Sequence, residues 1–293
     1  MLRAFLALSL IANLNSAPEA DQEFIDSSKW QAASLLSIPS VPIKDASYVR
    51  PVIGAEGAIA VDLETGEILF SQNNHRSRSI ASLTKIMTAI VILEENNLDE
   101  IVTISKKASS EIGSQIYLKE GEQMTVRNLL TALLISSAND SAYALAEYNA
   151  GSVENFVAKM NKKAKLLGLY NTSFANPVGL DDSKNYSTPY DLAILGRYAY
   201  RKPFVAETVG IKETTVSSIN GLKHTVVSTN KILGGYLNIE GIKTGKTEDA
   251  GLCLMAIGNN GDGRKVLAIV LDSPDRFKET KILLDWAFRA YKW

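Results

Sequence analysis

The sequence predicts an α+β domain: an antiparallel sheet of about five strands, built from both ends of the chain and flanked by helices, with an all-helical subdomain inserted at about residues 98–205. Three observations predict this class. Strand patterns occur at residues 57–70 and again at 239–271, helical patterns fill the middle of the chain, and an amphipathic helical pattern covers 275–293. Because strands at both ends of a helical middle can form one sheet, we expect a cleft between that sheet and the insertion.

The first elements are a β-hairpin and a helix. Apolar residues dominate 58–63 and 67–70, on either side of a tight turn that contains Gly66. Residues 79–97 follow with apolar positions at a period near 3.6 and with serines at the start as cap candidates. The helix therefore begins soon after the hairpin ends.

The later elements follow in the order that the fold class requires. Further helical patterns cover residues 126–136, 138–150, 153–167 and 188–200. Strand patterns cover residues 214–216, 225–227, 239–244, 251–258 and 265–271, and Asn220-Gly221 predicts a hairpin turn between the first two of them.

The N-terminal part differs from the rest of the chain in composition. Residues 4–14 form an apolar run behind Arg3 that is short for a membrane span but typical of a secretory signal. We interpret residues 1–20 as a signal peptide or N-terminal anchor, which predicts export to the periplasm or the outer face of the cytoplasmic membrane. An amphipathic helix of a cytosolic protein is the alternative. Residues 21–54, rich in acidic residues, serine and proline, predict a flexible leader to a domain at 55–293.

Composition argues against several classes of protein. With Lys+Arg 31 against Asp+Glu 32, the formal net charge of -1 gives no indication of nucleic-acid binding. Cys253 is the single cysteine, which excludes an intramolecular disulfide and an ordinary cysteine zinc site, and its context predicts a buried strand residue. His75 and His224 are the only histidines and are predicted to lie at the surface. We therefore expect no metal and no cofactor.

Residues 240–253 (EGIKTGKTEDAGLC) could contain a phosphate-binding loop or part of a serine-acylase site. A phosphate loop needs four residues between its two glycines and a helix after it. Gly241 and Gly245 have three residues between them, and residues 250–258 have a strand pattern. The pattern therefore argues against a nucleotide-binding site.

Serine and lysine are spaced for nucleophilic catalysis at Ser82 and Lys85. Three residues apart at a helix start, they share a face, and a neutral amine can activate a hydroxyl. The pattern alone is weak, because Ser228 and Lys231 repeat it. A Ser-His-Asp triad also stays open, although neither histidine lies near a nucleophile-elbow sequence.

Order and context make the pattern specific. Ser82 and Lys85 open a helix, Ser137-Ala138-Asn139 lies between two helices of the insertion, and Lys243-Thr244-Gly245 ends a strand, so the three places can meet in one cleft. Around them, five stretches resemble the low-molecular-mass D-alanyl-D-alanine carboxypeptidases, which are penicillin-binding proteins. These stretches are residues 80–89 (IASLTKIMTA), 136–141 (SSANDS), 174–181 (FANPVGLD), 186–188 (YST) and 241–245 (GIKTG). The resemblance runs from about residue 55 to the C-terminus and implies a β-lactamase/DD-peptidase-like fold.

The resemblance implies which residues perform the reaction. Ser82 would attack the carbonyl between the terminal D-alanines of a peptidoglycan stem peptide, and β-lactam antibiotics would acylate the same serine. Lys85 would take the serine proton, helped by burial and by the nearby Lys243 ammonium. Ser137 would relay a proton to the leaving amine, and Asn139 would hold Lys85 and the substrate amide.

The third motif would bind the substrate. Lys243 and Thr244 would meet its terminal carboxylate, and Gly245 would leave room for the substrate along the strand edge. The N–H groups of Ser82 and Lys246 would form the oxyanion hole.

One departure and one open question accompany the resemblance. Ala138 replaces the usual glycine of the second motif, which bears on rate or substrate width more than on reaction class. Membrane contact is expected only through the N-terminus or the last helix, and packing of that helix on the sheet is favoured.

Three other functions remain open at this point. A serine β-lactamase shares the fold and the motifs, but in one major class it needs a glutamate that holds a water. No glutamate occurs between Glu154 and Glu207, where that residue would fall. A D,D-endopeptidase acting on cross-links would use the same chemistry. A non-catalytic penicillin-binding module would be expected to have lost Ser82 or Lys85, and this chain has kept both.

Overall fold

The computed structural model describes residues 41–293, and its middle is helical. A 3₁₀ turn at Ala81–Thr84 precedes the first helix. The eight helices of the described residues are α1 (Lys85–Glu95), α2 (Lys106–Ser109), α3 (Val126–Ile135), α4 (Asn139–Ala150), α5 (Val153–Leu166), α6 (Pro189–Tyr200), α7 (Pro203–Thr208) and α8 (Arg276–Ala290). None of these helices is both long and apolar enough to cross a membrane.

The strands come mainly from the two ends of the described chain. They are β1 (Ile43–Lys44), β2 (Gly57–Asp62), β3 (Ile68–Gln72), β4 (Arg78–Ser79), β5 (Ile101–Thr103), β6 (Gln123–Thr125), β7 (Tyr186–Ser187), β8 (Glu213–Ser217), β9 (Lys223–Val227), β10 (Ile242–Thr247), β11 (Gly251–Asn259), β12 (Lys265–Leu271) and β13 (Tyr291–Lys292).

Five of these strands form one antiparallel sheet in the order β10-β11-β12-β2-β3. The early hairpin β2-β3 joins the late meander β10-β11-β12 through the pairing of β2 with β12, in which Ile59 lies opposite Ile269. The predicted sheet of about five strands from both termini is thus confirmed. β10 is an edge strand, and it lies against the 3₁₀ turn that precedes α1.

Each face of the sheet is covered by helices. Ile59 and Val61 of β2 belong to a core shared with α1 and with the insertion, including its helix α6, whereas Ala58 and Ala60 belong to a second core shared with α8. The alternation follows from the period of two along a strand. The last helix therefore packs on the sheet, as predicted, and Cys253 is fully buried in β11.

Three predictions need adjustment. The insertion also contains a small antiparallel sheet of two strands, β5 and β6. The helix predicted at 79–97 begins at Lys85, because a strand and a 3₁₀ turn precede it. Residues 41–54 pack on the domain rather than forming a flexible leader: β1 pairs with β13, and Trp286 Nε1 donates to the Val49 carbonyl at 2.8 Å. The predicted signal peptide and the leader up to residue 40 lie outside the described residues.

The two histidines differ in environment. His75 is exposed, as predicted, but the surface position predicted for His224 is wrong, because its side chain is buried. His224 Nδ1 lies 2.8 Å from the Ile116 carbonyl oxygen, and Nε2 lies 2.7 Å from Glu122 Oε1. These two oxygen atoms replace the water that the polar ring would otherwise bind.

Candidate active site

The serine and lysine of the first motif touch each other where α1 begins. Ser82 lies in the 3₁₀ turn and Lys85 is the first residue of α1. The Lys85 ammonium donates to Ser82 Oγ at 3.0 Å and to the Val178 carbonyl at 2.9 Å. Since the Lys85 side chain is fully buried, these two oxygens replace water around its Nζ atom.

The environment of Lys85 favours its neutral form. Burial lowers the pKa of Lys85 well below its ordinary range, and the nearby Lys243 ammonium lowers it further. The Asp140 carboxylate acts in the opposite direction with a smaller effect. An uncharged amine 3.0 Å from a serine hydroxyl is in position to accept its proton.

A loop from the C-terminal side of α5 closes the site beneath the 3₁₀ turn. Asn176 Oδ1 accepts hydrogen bonds from the N–H groups of Val178 (3.2 Å), Gly179 (2.7 Å) and Leu180 (3.1 Å). A Cβ atom on Gly179 would lie 1.8 Å from the Ala81 carbonyl oxygen, so only glycine fits there. The sequence indicates this loop only through the resemblance of residues 174–181 to the family. It does not predict the contact of Lys85 with Val178.

The second motif forms the turn between α3 and α4. Ser137 is buried and has a left-handed φ of 64°, and Ala138, the departure from the family pattern, is fully buried. Asn139 begins α4, and its side-chain amide donates to the Ile112 carbonyl at 2.5 Å. The predicted contact of Asn139 with Lys85 is not among the hydrogen bonds of the described residues, and neither is a bond from Ser137 to Lys85.

Asp140 fixes the loop that lies over the second motif. Its carboxylate accepts from the N–H groups of Ile116 and Leu118, each at 3.1 Å, and from Ser141 at 2.8 Å. Burial raises the pKa of Asp140 despite these hydrogen bonds. The same loop supplies the Ile112 carbonyl that holds Asn139, so one buried carboxylate organises the contacts of the motif.

The third motif lies on β10 against the nucleophile. A Cβ atom on Gly245 would lie 3.2 Å from the Ser82 nitrogen and 3.0 Å from Ala81 Cβ, so the absence of a side chain permits this close approach. Lys243 is buried and donates to the Thr244 carbonyl at 3.0 Å. The Lys246 side chain, in contrast, is exposed.

Three further features of the third motif were not predicted. Arg276, the first residue of α8, donates to the Gly245 carbonyl at 2.6 Å, and no sequence pattern links this arginine to the motif. Burial, together with the positive charge of Arg276, lowers the pKa of Lys243 to about 7. Thr244 Oγ1 lies 2.6 Å from Thr229 Oγ1.

Comparison with known proteins agrees with this arrangement. A family model described as D-alanyl-D-alanine carboxypeptidase matches residues 44–275. The chain is 37% identical over 245 residues to D-alanyl-D-alanine carboxypeptidase DacF of Bacillus subtilis, which covers 81% of this chain and 63% of DacF. It is 36% identical over 262 residues to the D-alanyl-D-alanine carboxypeptidase of Streptomyces strain K15, covering 83% of this chain and 90% of that protein. The chain thus spans less than two thirds of DacF but most of the Streptomyces enzyme.

Solved structures give the same result. The crystal structure of the Streptomyces K15 DD-transpeptidase matches with a TM-score of 0.78 at 34% identity, covering 83% of this chain and all of that chain. The D-alanyl-D-alanine carboxypeptidase DacD from Francisella tularensis matches with a TM-score of 0.75 at 28% identity, covering 84% and 74%. Sequence, fold and the placement of the motif residues thus lead to one conclusion: the chain belongs to the D-alanyl-D-alanine carboxypeptidase family.

Proposed function

We propose that this protein hydrolyses the terminal D-Ala-D-Ala peptide bond of peptidoglycan stem peptides through a serine acyl-enzyme, and that β-lactam antibiotics acylate the same serine. The main support for the proposal is the Lys85 amino group, which is fully buried, has a lowered pKa and lies 3.0 Å from Ser82 Oγ. A serine hydroxyl is a weak nucleophile and needs an adjacent general base, and Lys85 is placed to be that base.

The reaction proceeds in two halves. In acylation, Ser82 Oγ attacks the carbonyl carbon while Lys85 takes its proton; the C–N bond then breaks, and D-alanine leaves with a proton passed on through Ser137. In deacylation, a water attacks the ester carbonyl and gives its proton to Lys85. The ester C–O bond breaks, Ser82 regains a proton, and the shortened peptide leaves.

Binding groups surround the reacting carbonyl. We assign the substrate carboxylate to Lys243 and Thr244, and the substrate amide to Asn139. The N–H groups of Ser82 and Lys246 form the oxyanion hole, and the lack of a side chain at Gly245 lets the substrate lie along β10 as an added strand. The Ser82 turn lies so close to Gly245 that a Cβ atom there would be 3.2 Å from the Ser82 nitrogen, and this proximity supports the arrangement.

The place of action follows from the substrate. We propose that residues 1–20 direct export or serve as an anchor, so that the domain at 55–293 reaches peptidoglycan outside the cytoplasm. Loss of the N-terminal apolar run from the full chain should then leave the protein in the cytoplasm, as fractionation would show. Contact with a membrane would be made through that N-terminal segment.

Release of D-alanine tests the proposed activity. A diacetylated tripeptide ending in D-Ala-D-Ala should lose one D-alanine per molecule, measured by a D-amino acid oxidase assay. Ser82→Ala should abolish this release, whereas Ser183→Ala, at an exposed serine, should not change it. Release of D-alanine by Ser82→Ala at the wild-type rate would refute the mechanism. Rapid turnover of benzylpenicillin without release of D-alanine would instead support a β-lactamase.

A further inference from the structure

Two hydroxyl groups face each other beside the third motif. Thr229 Oγ1 lies 2.6 Å from Thr244 Oγ1, and either oxygen can be the donor. Thr244 lies on β10 and is 5% exposed, whereas Thr229 is half-buried, follows β9 and belongs to none of the three motifs. At this separation one hydroxyl donates its single proton to the other, so the pair shares one hydrogen bond. The proton of the accepting hydroxyl is then left for another partner.

The direction of this hydrogen bond decides what Thr244 can bind. When Thr229 donates to Thr244, the Thr244 proton is free for a third group. When Thr244 donates to Thr229, it presents only lone pairs to the site. Since an ionised carboxylate accepts hydrogen bonds and cannot donate, it binds Thr244 only in the first arrangement.

Thr229 is held in place from the insertion side. Its N–H donates at 3.3 Å to the carbonyl of Ile135, the last residue of α3, close to the turn that carries Ser137. The following residue, Asn230, is buried; its N–H donates to Ser228 Oγ at 3.2 Å, and its Oδ1 accepts from the Ile232 N–H at 3.2 Å. The Thr229 hydroxyl is therefore presented to Thr244 by a segment that is fixed independently of β10.

We propose that Thr229 is a positioning residue for carboxylate recognition: its hydroxyl donates to Thr244 and thereby turns the Thr244 proton towards the carboxylate of the substrate or of a β-lactam. This inference rests on the proposed function in one respect, the assignment of that carboxylate to Lys243 and Thr244. It adds a residue that bridges the insertion and the sheet and that selects for a ligand with a negative charge.

Acylation by benzylpenicillin and by its methyl ester tests the inference, because the ester lacks the negative charge. The rate of each is followed by intact-mass spectrometry in the wild type, Thr229→Val, Thr229→Ser and Thr225→Val. Thr229→Val should slow acylation by the free acid about tenfold, in keeping with the loss of one hydrogen bond to a charged group. It should change acylation by the ester less than about threefold, so the preference for the acid falls. Thr229→Ser, which keeps the hydroxyl, should restore the wild-type preference.

Thr225→Val is the matched control, because Thr225 is exposed on β9 and pairs with β8 away from the motifs. Equal slowing of acid and ester by Thr229→Val, or no slowing of either, would overturn the inference. If Thr229→Val fails to fold, the comparison of Thr229→Ala with Thr229→Ser isolates the hydroxyl in the same way.

The outcome is separable from a failure of the proposed function. If the wild type released no D-alanine but was acylated by benzylpenicillin, the acid-to-ester preference would still decide the role of Thr229. If the wild type were not acylated by benzylpenicillin at all, both the proposed function and this inference would be refuted.

Discussion

The sheet side and the helical side of the site hold their functional residues in different ways. On the sheet side, Lys243, Thr244 and Gly245 lie on a regular strand that pairs with β11 along its length. On the helical side, Ala81 and Ser137 have left-handed backbone conformations in turns, with φ of 47° and 64°. Ladder hydrogen bonds fix a strand, whereas a left-handed non-glycine residue costs free energy that its surroundings must offset.

Polar side chains outside the three motifs provide this support on the helical side. Asn176 fixes three consecutive N–H groups in the loop that packs under Ala81, and Asp140 fixes those of Ile116 and Leu118 beside the second motif. The helical side therefore depends on a few anchoring side chains. The sheet side is held mainly by backbone pairing and by the space at Gly245, and Arg276 and Thr229 add side-chain contacts to Gly245 and Thr244.

The largest effect is expected on the helical side, at the base itself. Lys85→Ala should slow acylation by benzylpenicillin by about 1,000-fold, because general-base assistance is lost. Lys231→Ala, which changes the exposed lysine of the other Ser-x-x-Lys run, should acylate at the wild-type rate. Stopped-flow kinetics would measure both, and a Lys85→Ala rate within tenfold of the wild type would contradict the role of Lys85.

The next effect tests whether anchors outside the motifs matter. Asn176→Ala removes the acceptor of three N–H groups, each bond contributing about 1 kcal/mol, and frees the loop whose Val178 carbonyl holds Lys85. We expect acylation to slow about 100-fold and the melting temperature to fall by about 5 °C or more. Asn171→Ala, at an exposed position just before this loop, is the control. If Asn176→Ala kept the wild-type stability and acylation rate, the helical side would not depend on this anchoring side chain, contrary to our expectation.

A smaller effect is expected on the sheet side. Gly245→Ala would place a methyl group 3.0–3.2 Å from Ala81 Cβ, the Ile80 carbonyl and the Ser82 nitrogen, so the nucleophile and β10 must separate slightly. Acylation should slow about tenfold with little change in stability, since a small displacement of reacting groups costs rate. Gly210→Ala, where the added Cβ would lie 3.5 Å from the Glu240 carbonyl oxygen, is the control. An unchanged rate in Gly245→Ala would show that this space is not needed.

The last prediction concerns the stability of the fold and its dependence on pH rather than the acylation rate. The pKa of Lys243 is lowered to about 7 in the folded state from an ordinary value of 10.5, so between these values the unfolded chain binds a proton that the folded protein does not. The free energy of unfolding therefore rises with pH across this window, by about 1.4 kcal/mol per unit of pKa difference. Lys243→Met should lose this rise.

Thermal unfolding of wild type and Lys243→Met at several pH values measures the effect. The variant should be more stable than the wild type at pH 7 by about 10 °C, and the difference should shrink towards pH 10. Lys231→Met, at an exposed lysine, should give the wild-type pH dependence. A difference that stays constant with pH would show that Lys243 is not depressed in pKa.

Local patterns were sufficient for most of the secondary structure. The strand predicted at 265–271 has those bounds in the structure, and the helices predicted at 126–136 and 153–167 differ by one residue at the end. The helix predicted at 79–97 began too early, because a 3₁₀ turn has nearly the helical period and the apolar pattern does not separate the two.

Contacts between distant segments could not be predicted in the same way. The side chain of Asn139 reaches Ile112 rather than Lys85, and His224 is buried by Ile116 and Glu122, which lie about a hundred positions away in the chain. Arg276 meets Gly245 because α8 packs on the sheet. These pairings depend on how loops cross the domain, for which a single sequence carries no periodic signal.

Intact-mass spectrometry after brief incubation with benzylpenicillin, followed by peptide mapping, would identify the residue that becomes acylated. We expect one stable adduct, located on Ser82 and lost only slowly. An adduct on any other residue, or no adduct on a folded protein, would contradict the assignment of Ser82 as the nucleophile activated by Lys85.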